Sequence, residues 1–358
     1  MTGRATLTIA GAGMAGLVTA VRARELGATP VVFEKGTRAG GSMVLSSCVV
    51  WRHRDLDGFR EDCPSGDAAL QRRIVEELDD ALDWLESVGV APVARETGNP
   101  RTLGRRYDPR ALTAALAAAA GDVRLERPFA EAQVLATGGF AAALARDRGL
   151  LLRANPWSEG EGLAYGLARG ADLSAGMDEY YGRALPGPVA EPDYVRAAQL
   201  YGRHALVVDD EGRDLGDPAW HESDLVQRFP DGKAWYVLDA RALREPVRER
   251  TVADLVETAR ALGGEVRPGE ELPFALPASP KLVEPPFLAV RVYAAVTHTI
   301  GGLRIDEHAR VLDAAGAPVR DLHAAGADAG GIFTGGYGSG LAAALVFGRA
   351  AAESALGG

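Results

Sequence analysis

Three glycines, Gly11, Gly13 and Gly16, stand between an apolar run, Ala5 to Ala10, and a stretch of helical character that ends near Leu26. This G-x-G-x-x-G spacing constrains the chain more than any other feature, because each glycine answers a different geometric need. Gly11 permits a tight turn out of a buried strand. Gly13 lets a phosphate approach bare backbone, and Gly16 lets the helix pack on the strand. Met14 and Ala15 open that helix, whose positive end faces the phosphates. Pro30 to Glu34 reads as a second strand, and Glu34 lies 18 residues past Gly16. A carboxylate at that distance takes ribose hydroxyls, with Lys35 beside it. Strand, glycine turn, helix, strand and acid in this order predict the opening of a doubly wound α/β sheet that binds a dinucleotide. The bland alternative is a glycine-rich turn in a helical hairpin. The turn alone does not tell FAD from NAD.

Other bulk features narrow the class. The 358 residues allow two compact units, or one large α/β domain with an insertion. Glycine, at 44 residues, exceeds the usual share of roughly 7% and concentrates in a few loops. The net charge of -10 repels phosphate backbones and anionic lipid, which argues against nucleic acid or membrane as the main partner. No apolar run approaches the roughly 20 residues needed to span a bilayer. Cys48 and Cys63 lack metal spacing, so no metal is expected. Two free thiols fit a reducing compartment, the cytoplasm.

Helical spacing recurs over residues 68–88 and in the Ala-rich stretch 111–120, and Val134 to Thr137 is a short apolar strand ending in Gly138-Gly139. Composition shifts near residue 180 toward Pro, Trp, Tyr and charge, with weaker periodicity. Glycine-rich α/β character returns after 296, and a last helix runs from about Ser339 to Leu356. The expected architecture is α/β: a Rossmann-type FAD-binding domain from residues 1–178 and 293–358, with an inserted, reduced α+β cap over 179–292.

Five segments then occur in a fixed order: GGSMVLSSC (40–48), VLATGGF (134–140), EGEGLAYGLARGADL (159–173), THTIGGLRID (297–306) and the stretch from Leu322 to Arg349. Together they resemble one family, that of the fumarate reductase and succinate dehydrogenase flavoproteins, the 3-ketosteroid dehydrogenases and the tricarballylate dehydrogenases. The resemblance implies FAD, and hydride exchange between flavin N5 and a carbon next to an activated C–H or C=C. It places Gly40, Gly41, Ser42, Ser46 and Ser47 along the flavin and its phosphates. Thr137, Gly138 and Gly139 fall beside the adenosine–pyrophosphate portion. Met43 stands where some members carry a histidine bonded to FAD, so FAD is expected to be non-covalent. Gly326 and Asp328 lie in the loop that usually reads AGE and grips the ribityl chain. Here it reads AGAD, with Ala327 at the glutamate position. Ser339, Gly340 and Leu341 begin the last helix, whose positive end is expected to stabilise charge at N1/O2 of the reduced flavin.

The same resemblance singles out catalytic candidates. His298 and Thr299 occupy the place of a substrate-contacting pair in the dicarboxylate-reducing members. Tyr337 stands near a position where those members carry an arginine that clamps a carboxylate through its fork of donors. A tyrosine cannot do that, and Gly335-Gly336-Tyr337-Gly338 looks more like the ketone-binding loop of the ketosteroid dehydrogenases. Within AWYVLDARALRE (234–245), Arg244 or Arg241 matches a catalytic arginine, with a solvated helix arginine as the alternative. Tyr180, Tyr181 and Arg183 sit at the entry to the cap, where tyrosine can move a proton or merely pack. The chain is shorter than is usual in the family.

The reading that follows is an FAD enzyme acting on a CH–CH or C=C bond next to a carbonyl, with a carbonyl-containing small molecule as substrate and an unidentified electron partner. The alternatives are a flavin oxidase or dehydrogenase of another C–H substrate, and a non-catalytic flavin-binding subunit.

Overall fold

The alternation that buries Leu7, Ile9 and Ala10 makes Thr6–Ala10 a core strand, β1. The computed structural model describes residues 5–357. Helix α1 (Met14–Glu25) follows, buried along most of its length from Met14 to Ala23. Gly27 turns the chain into β2 (Thr29–Phe33), which pairs in parallel with β1 from Thr6↔Thr29 to Ala10↔Phe33. The predicted strand–turn–helix–strand unit is therefore present, one residue earlier at the second strand. Next come β3 (Val49–His53), α2 (Leu56–Asp62) and α3 (Ala68–Ser87). Asp67 starts α3 by accepting the Ala69 and Leu70 amides at 2.8 and 3.2 Å, and its apolar stripe of Leu70, Ile74, Leu78, Leu82 and Leu85 is buried. β4 (Thr102–Arg106) pairs antiparallel with β3. α4 (Pro109–Ala120) begins at an Asp108 cap with proline in its first turn, where the missing N–H costs nothing. β5 (Asp122–Arg124), β6 (Val134–Leu135) and α5 (Ala141–Asp147) follow.

Further along lie β7 (Leu151–Leu152), α6 (Glu161–Ala168) and β8 (Tyr180–Leu185). Then come β9 (Leu206–Val208), β10 (Lys233–Leu238), the β11/β12 hairpin (Pro246–Val247, Arg250–Thr251), α7 (Val252–Ala261), β13 (Val266–Pro268) and β14 (Leu288–Thr299). The chain closes with β15 (Arg310–Leu312), β16 (Pro318–Ala324) and α8 (Gly340–Ala355).

The chain divides into two units. The first contains the chain up to Ala143, Ala154–Tyr180 and the chain from His298 onward. Among the described residues its main sheet has the order β15-β16-β6-β1-β2-β5, parallel except at the β15 edge. This is a doubly wound α/β arrangement. The second unit contains Leu144–Arg153 and Tyr181–Thr297. Its sheet runs β13-β14-β10-β9, with β7 and β8 also on β14. Its core holds Leu206, Val208, Trp235, Val237 and Ala289. The sequence reading left residues 144–153 with the flanking α/β segments, because a two-residue strand such as β7 is too short to show a period.

Small residues bring α1 and α8 together. A Cβ at Gly348 would lie 2.9 Å from the Ala15 carbonyl oxygen and 3.1 Å from Val18 Cγ1. Thr19 Oγ1 donates to Gly348 O at 2.9 Å across the same crossing. Gly348→Leu is expected to force the helices apart and to cost about 1–3 kcal/mol, read as a lower urea midpoint. An unchanged midpoint would show that the crossing does not depend on this close approach.

Candidate flavin site

The glycine turn is built from backbone on backbone. Gly11 has φ +99, and a Cβ there would lie 2.1 Å from the Ala136 carbonyl oxygen. A Cβ at Gly16 would lie 1.9 Å from the Gly11 carbonyl oxygen. Gly13 differs: a Cβ there meets nothing within 4 Å, so the space over the start of α1 is open. No side chain caps α1, and no acid lies in its first turn. Its leading amides, from Met14, Ala15 and Gly16, thus form a positive end beside open space, which suits a pyrophosphate. Glu34 is buried, and its carboxylate accepts the Ala12 amide at 2.9 Å and the Gly36 amide at 2.7 Å. It therefore braces the turn as well as lining the groove beside it.

That groove, about 230 Å³, runs from Gly11, Glu34 and Thr137 to an aromatic end made by Phe129, Trp157 and Tyr165. Phe129 meets Tyr165 edge-on with centroids 5.4 Å apart. Arg38 lies 5.1 Å over the Trp157 ring. Lys35 and Glu161 form an ion pair on the groove wall. The sequence reading did not name Phe129, Trp157 or Tyr165 as lining residues. They are distant in the chain and follow no periodic pattern; the signal available was Tyr165 inside the EGEGLAYGLARGADL segment.

A second loop lies against the turn. Gly40 (φ +101) donates to the Ala12 carbonyl at 2.8 Å, and a Cβ at Gly41 would lie 3.1 Å from Gly13 Cα. Ser42 Oγ accepts the Asn155 amide at 3.0 Å. Ser46 Oγ donates to Met43 O at 2.8 Å and accepts the Cys48 amide at 2.9 Å, so it holds the loop's shape. Ser47 is half-buried and Met43 is buried. Burial pushes the Cys48 thiol up to about 12 and raises the Cys63 thiol as well, so both stay protonated at neutral pH.

The third loop carries Thr137, Gly138 and Gly139, the two glycines at φ +94 and +69. Asp328, fully buried, accepts from the Thr137 amide, and from the Thr137 hydroxyl and the Gly139 amide at 2.9 Å each. Its carboxylate thus points inward and ties its own loop to this one. Gly326 (φ +68) lies against Ala15, whose Cβ would be 3.1 Å from a Cβ at 326.

At the start of α8, Ser339 Oγ accepts the Ala342 amide at 3.3 Å and the Trp51 amide at 3.4 Å. Gly340 leaves room for the His298 ring, which a Cβ would approach to 3.1 Å, and Leu341 is half-buried. Tyr337 Oη accepts the Gly340 amide at 3.3 Å. Its ring lies among Trp51 and His298, with centroids 6.3 Å away in each case, and Phe333, at 5.7 Å. Tyr337 and His298 are therefore brought together, and Trp51 joins them although the sequence reading passed over it. Arg244 lies in the second unit, exposed and paired with Glu284 at 3.0 Å, and Arg241 is paired with Asp239 at 2.8 Å. In that unit Arg183 Nε donates to Tyr181 Oη at 2.7 Å, while Tyr180, the last residue of its segment in the first unit, is buried.

Burial lowers His298 to about 4, so it is neutral at pH 7. Its folded value lies below the unfolded value of about 6.5, so the unfolded chain binds more protons between these values. Stability therefore falls as pH drops from about 6.5 to about 4. His298→Asn is expected to flatten that interval by on the order of 1–2 kcal/mol, less than the full shift because solvent screens the half-buried ring. Denaturation midpoints for both proteins across this range provide the check; parallel profiles would assign the acid sensitivity to other groups.

Comparison with known proteins gives the family and the fold. Residues 108–341 match the family model described as FAD binding domain, and residues 9–64 match the NAD(P)-binding Rossmann-like domain. Over 97% of its length the chain is 25% identical to a probable fumarate reductase of Shewanella frigidimarina, of which it covers 74%. It is also 25% identical over 98% of its length to an NADH:fumarate oxidoreductase of Klebsiella pneumoniae, of which it covers 47%. The fold is shared with the 3-ketosteroid-Δ4-(5α)-dehydrogenase of Rhodococcus jostii RHA1: TM-score 0.74 at 17% identity, covering 99% of this chain and 98% of that one. It is shared too with a flavocytochrome c3 fumarate reductase in its open conformation: TM-score 0.70 at 21% identity, covering 99% of this chain and 78% of that one. The matched residues include the Thr137–Gly139 and Asp328 loops and the start of α8, and the chain belongs to the FAD binding domain family.

Proposed function

We infer that this chain is an FAD-dependent oxidoreductase acting on a carbon–carbon bond next to a neutral carbonyl, by α,β-dehydrogenation or by reduction of the conjugated alkene. The observation that carries the reading is Tyr337 at the start of α8. Its hydroxyl oxygen accepts the Gly340 amide, and a phenol that accepts one bond can also donate one. FAD supplies the hydride acceptor or donor. The chain's own groups do the rest. The open end of α1 over Gly13, with Met14, Ala15 and Gly16, receives the pyrophosphate. Glu34 meets the ribose, and the groove of Phe129, Trp157 and Tyr165 takes the adenine by stacking. Gly40, Gly41 and Ser42 border the isoalloxazine. Met43 has no nucleophilic nitrogen, so FAD is held non-covalently.

At the substrate, Tyr337 donates to the carbonyl oxygen and stabilises the negative charge that develops there during reaction. The positive end of α8 lies behind this donor, polarising it through the Gly340 amide. His298 is neutral and offers a hydrogen bond instead of a cation. A carboxylate in this place would be buried without a cation, which is costly. The second reading is reduction of a fumarate-like dicarboxylate, favoured by the names of the relatives of similar sequence. Tyr337 stands against it, since a phenol cannot form the two parallel bonds by which arginine holds a carboxylate. The buried thiols Cys48 and Cys63 fit a reducing cytoplasm. No helix among the described residues is long and apolar enough to cross a membrane.

Two measurements test these assignments. Gly13→Val is expected to lose at least tenfold in FAD affinity, because its side chain fills the open space over α1; equilibrium dialysis showing full retention would remove the pyrophosphate from that place. For the substrate, wild type and Tyr337→Phe are compared on cyclic enones and ketones and on fumarate and succinate. Loss of one donor to the developing oxyanion predicts a fall of about 10²–10³ in kcat on ketones, with FAD content unchanged. Fumarate or succinate turnover that survives Tyr337→Phe undiminished would overturn the neutral-carbonyl reading.

A further inference from the structure

Asp328 is fully buried, and the hydrogen-bond partners of its two oxygens among the described residues are donors. Oδ2 accepts the Thr137 amide, and Oδ1 accepts the Thr137 hydroxyl and the Gly139 amide. Thr137 Oγ1 itself accepts the Gly162 amide at 3.2 Å, so its own proton points at Asp328. A protonated carboxyl needs an acceptor for its O–H: on Oδ2 the proton would face the Thr137 amide, and on Oδ1 it could be met only by reversing the Thr137 hydroxyl bond, which takes from that hydroxyl the acceptor it now has. Either way one donor among Thr137 and Gly139 loses its present acceptor beside a buried group, where an unmet donor is costly.

The surroundings contain little else that titrates. The neighbouring loop presents the backbone of Gly302 and Leu303, with Leu303 donating to the Asp328 carbonyl at 2.7 Å. From α1 and α8 come Ala15 and Ala344, facing Gly326, and from α6 comes Gly162, packed on the carboxylate. The charged group that acts on Asp328 is Glu161, which is paired with Lys35 and pushes Asp328 upward. The three bonds from Thr137 and Gly139 pull it down, and burial, the largest influence, raises it to about 6.

Thr137 lines the cofactor groove, and the carbonyl of Ala136, one residue earlier, is the surface on which Gly11 closes its turn. Whatever loosens this loop loosens the groove wall and the glycine turn together.

We propose that Asp328 is a proton-operated latch on the FAD site. The ionised carboxylate holds the Thr137–Gly139 loop in its cofactor-binding form. Protonation in mildly acid solution drops one of its donors, loosens the loop and weakens FAD binding. The latch rests on the placement of FAD along this loop. Asp328 acts as a positioning residue, because its side chain reaches the cofactor only through Thr137 and Gly139.

The test follows FAD release from the holoprotein by recovery of flavin fluorescence between pH 5 and 8. Wild-type Kd is expected to rise about tenfold from pH 7.5 to pH 5, as a single proton uptake requires. Asp328→Asn, which cannot ionise, is expected to bind weakly at pH 7.5 and with no slope below it. Thr137→Val removes one donor to the ionised form and is expected to move the midpoint to higher pH; it also serves should Asp328→Asn fail to fold. The wild-type slope persisting in Asp328→Asn, or an unmoved midpoint in Thr137→Val, overturns the latch. A flat wild-type profile while Gly13→Val still lowers affinity overturns the latch and leaves the FAD placement standing. If neither Gly13→Val nor the loop variants change affinity, the placement is wrong and the latch falls with it.

Discussion

The cofactor site depends on backbone packed against backbone with no side chain between. The Gly11 turn closes on the Ala136 carbonyl, α1 closes on Gly11 through Gly16, and Gly41 closes on Gly13. Three loops separated by dozens of residues thereby meet at the start of one helix. Any Cβ at Gly11 or Gly16 would overlap a carbonyl oxygen outright, so these contacts admit no side chain. The consequence is electrostatic as much as steric. Peptide dipoles are brought to one place without flexible groups, and they stay oriented before the ligand arrives.

Two helices present positive ends in this unit, and the sequence treats them differently. α1 is left uncapped beside open space, which suits the phosphates. α8 is capped by Ser339, and the next amide, Gly340, is taken by Tyr337. The first end is suited to an anion held directly. The second passes its polarity to a phenol, a device suited to a carbonyl oxygen that becomes negative only during reaction. His298, kept neutral by burial, belongs to the same design. Asp328 supplies the countervailing negative charge, buried where it binds loops together and leaves the groove itself to the ligand.

Much of this was legible before any coordinates, because it follows from local geometry. The βαβ opening, Glu34 and helices α3 and α4 declare themselves through period, glycine spacing and alanine-rich composition. The Thr137–Gly139 and Asp328 loops were legible only by resemblance, which did not reveal that Asp328 accepts from Thr137 and Gly139. With Ala327 at the glutamate position, the carboxylate comes one residue later and turns inward to Thr137 and Gly139. Ser46 likewise serves its own loop. Phe129, Trp157, Tyr165 and Trp51 were not legible as site residues. Large aromatic residues pack into most cores, and only the chain path decides whether they face a groove. Arg244 or Arg241 matched a motif whose register the sequence leaves open, and the match says nothing of their partners, which in the second unit are Glu284 and Asp239.

The central claim is that FAD lies across the start of α1 with a neutral carbonyl substrate at Tyr337. A crystal structure of the oxidised holoprotein soaked with a cyclic enone tests it most directly. The account predicts the pyrophosphate over Gly13, the adenine among Phe129, Trp157 and Tyr165, and the enone oxygen within hydrogen-bond distance of Tyr337 Oη. An adenine outside that groove, or an enone oxygen held by groups other than Tyr337, would contradict it.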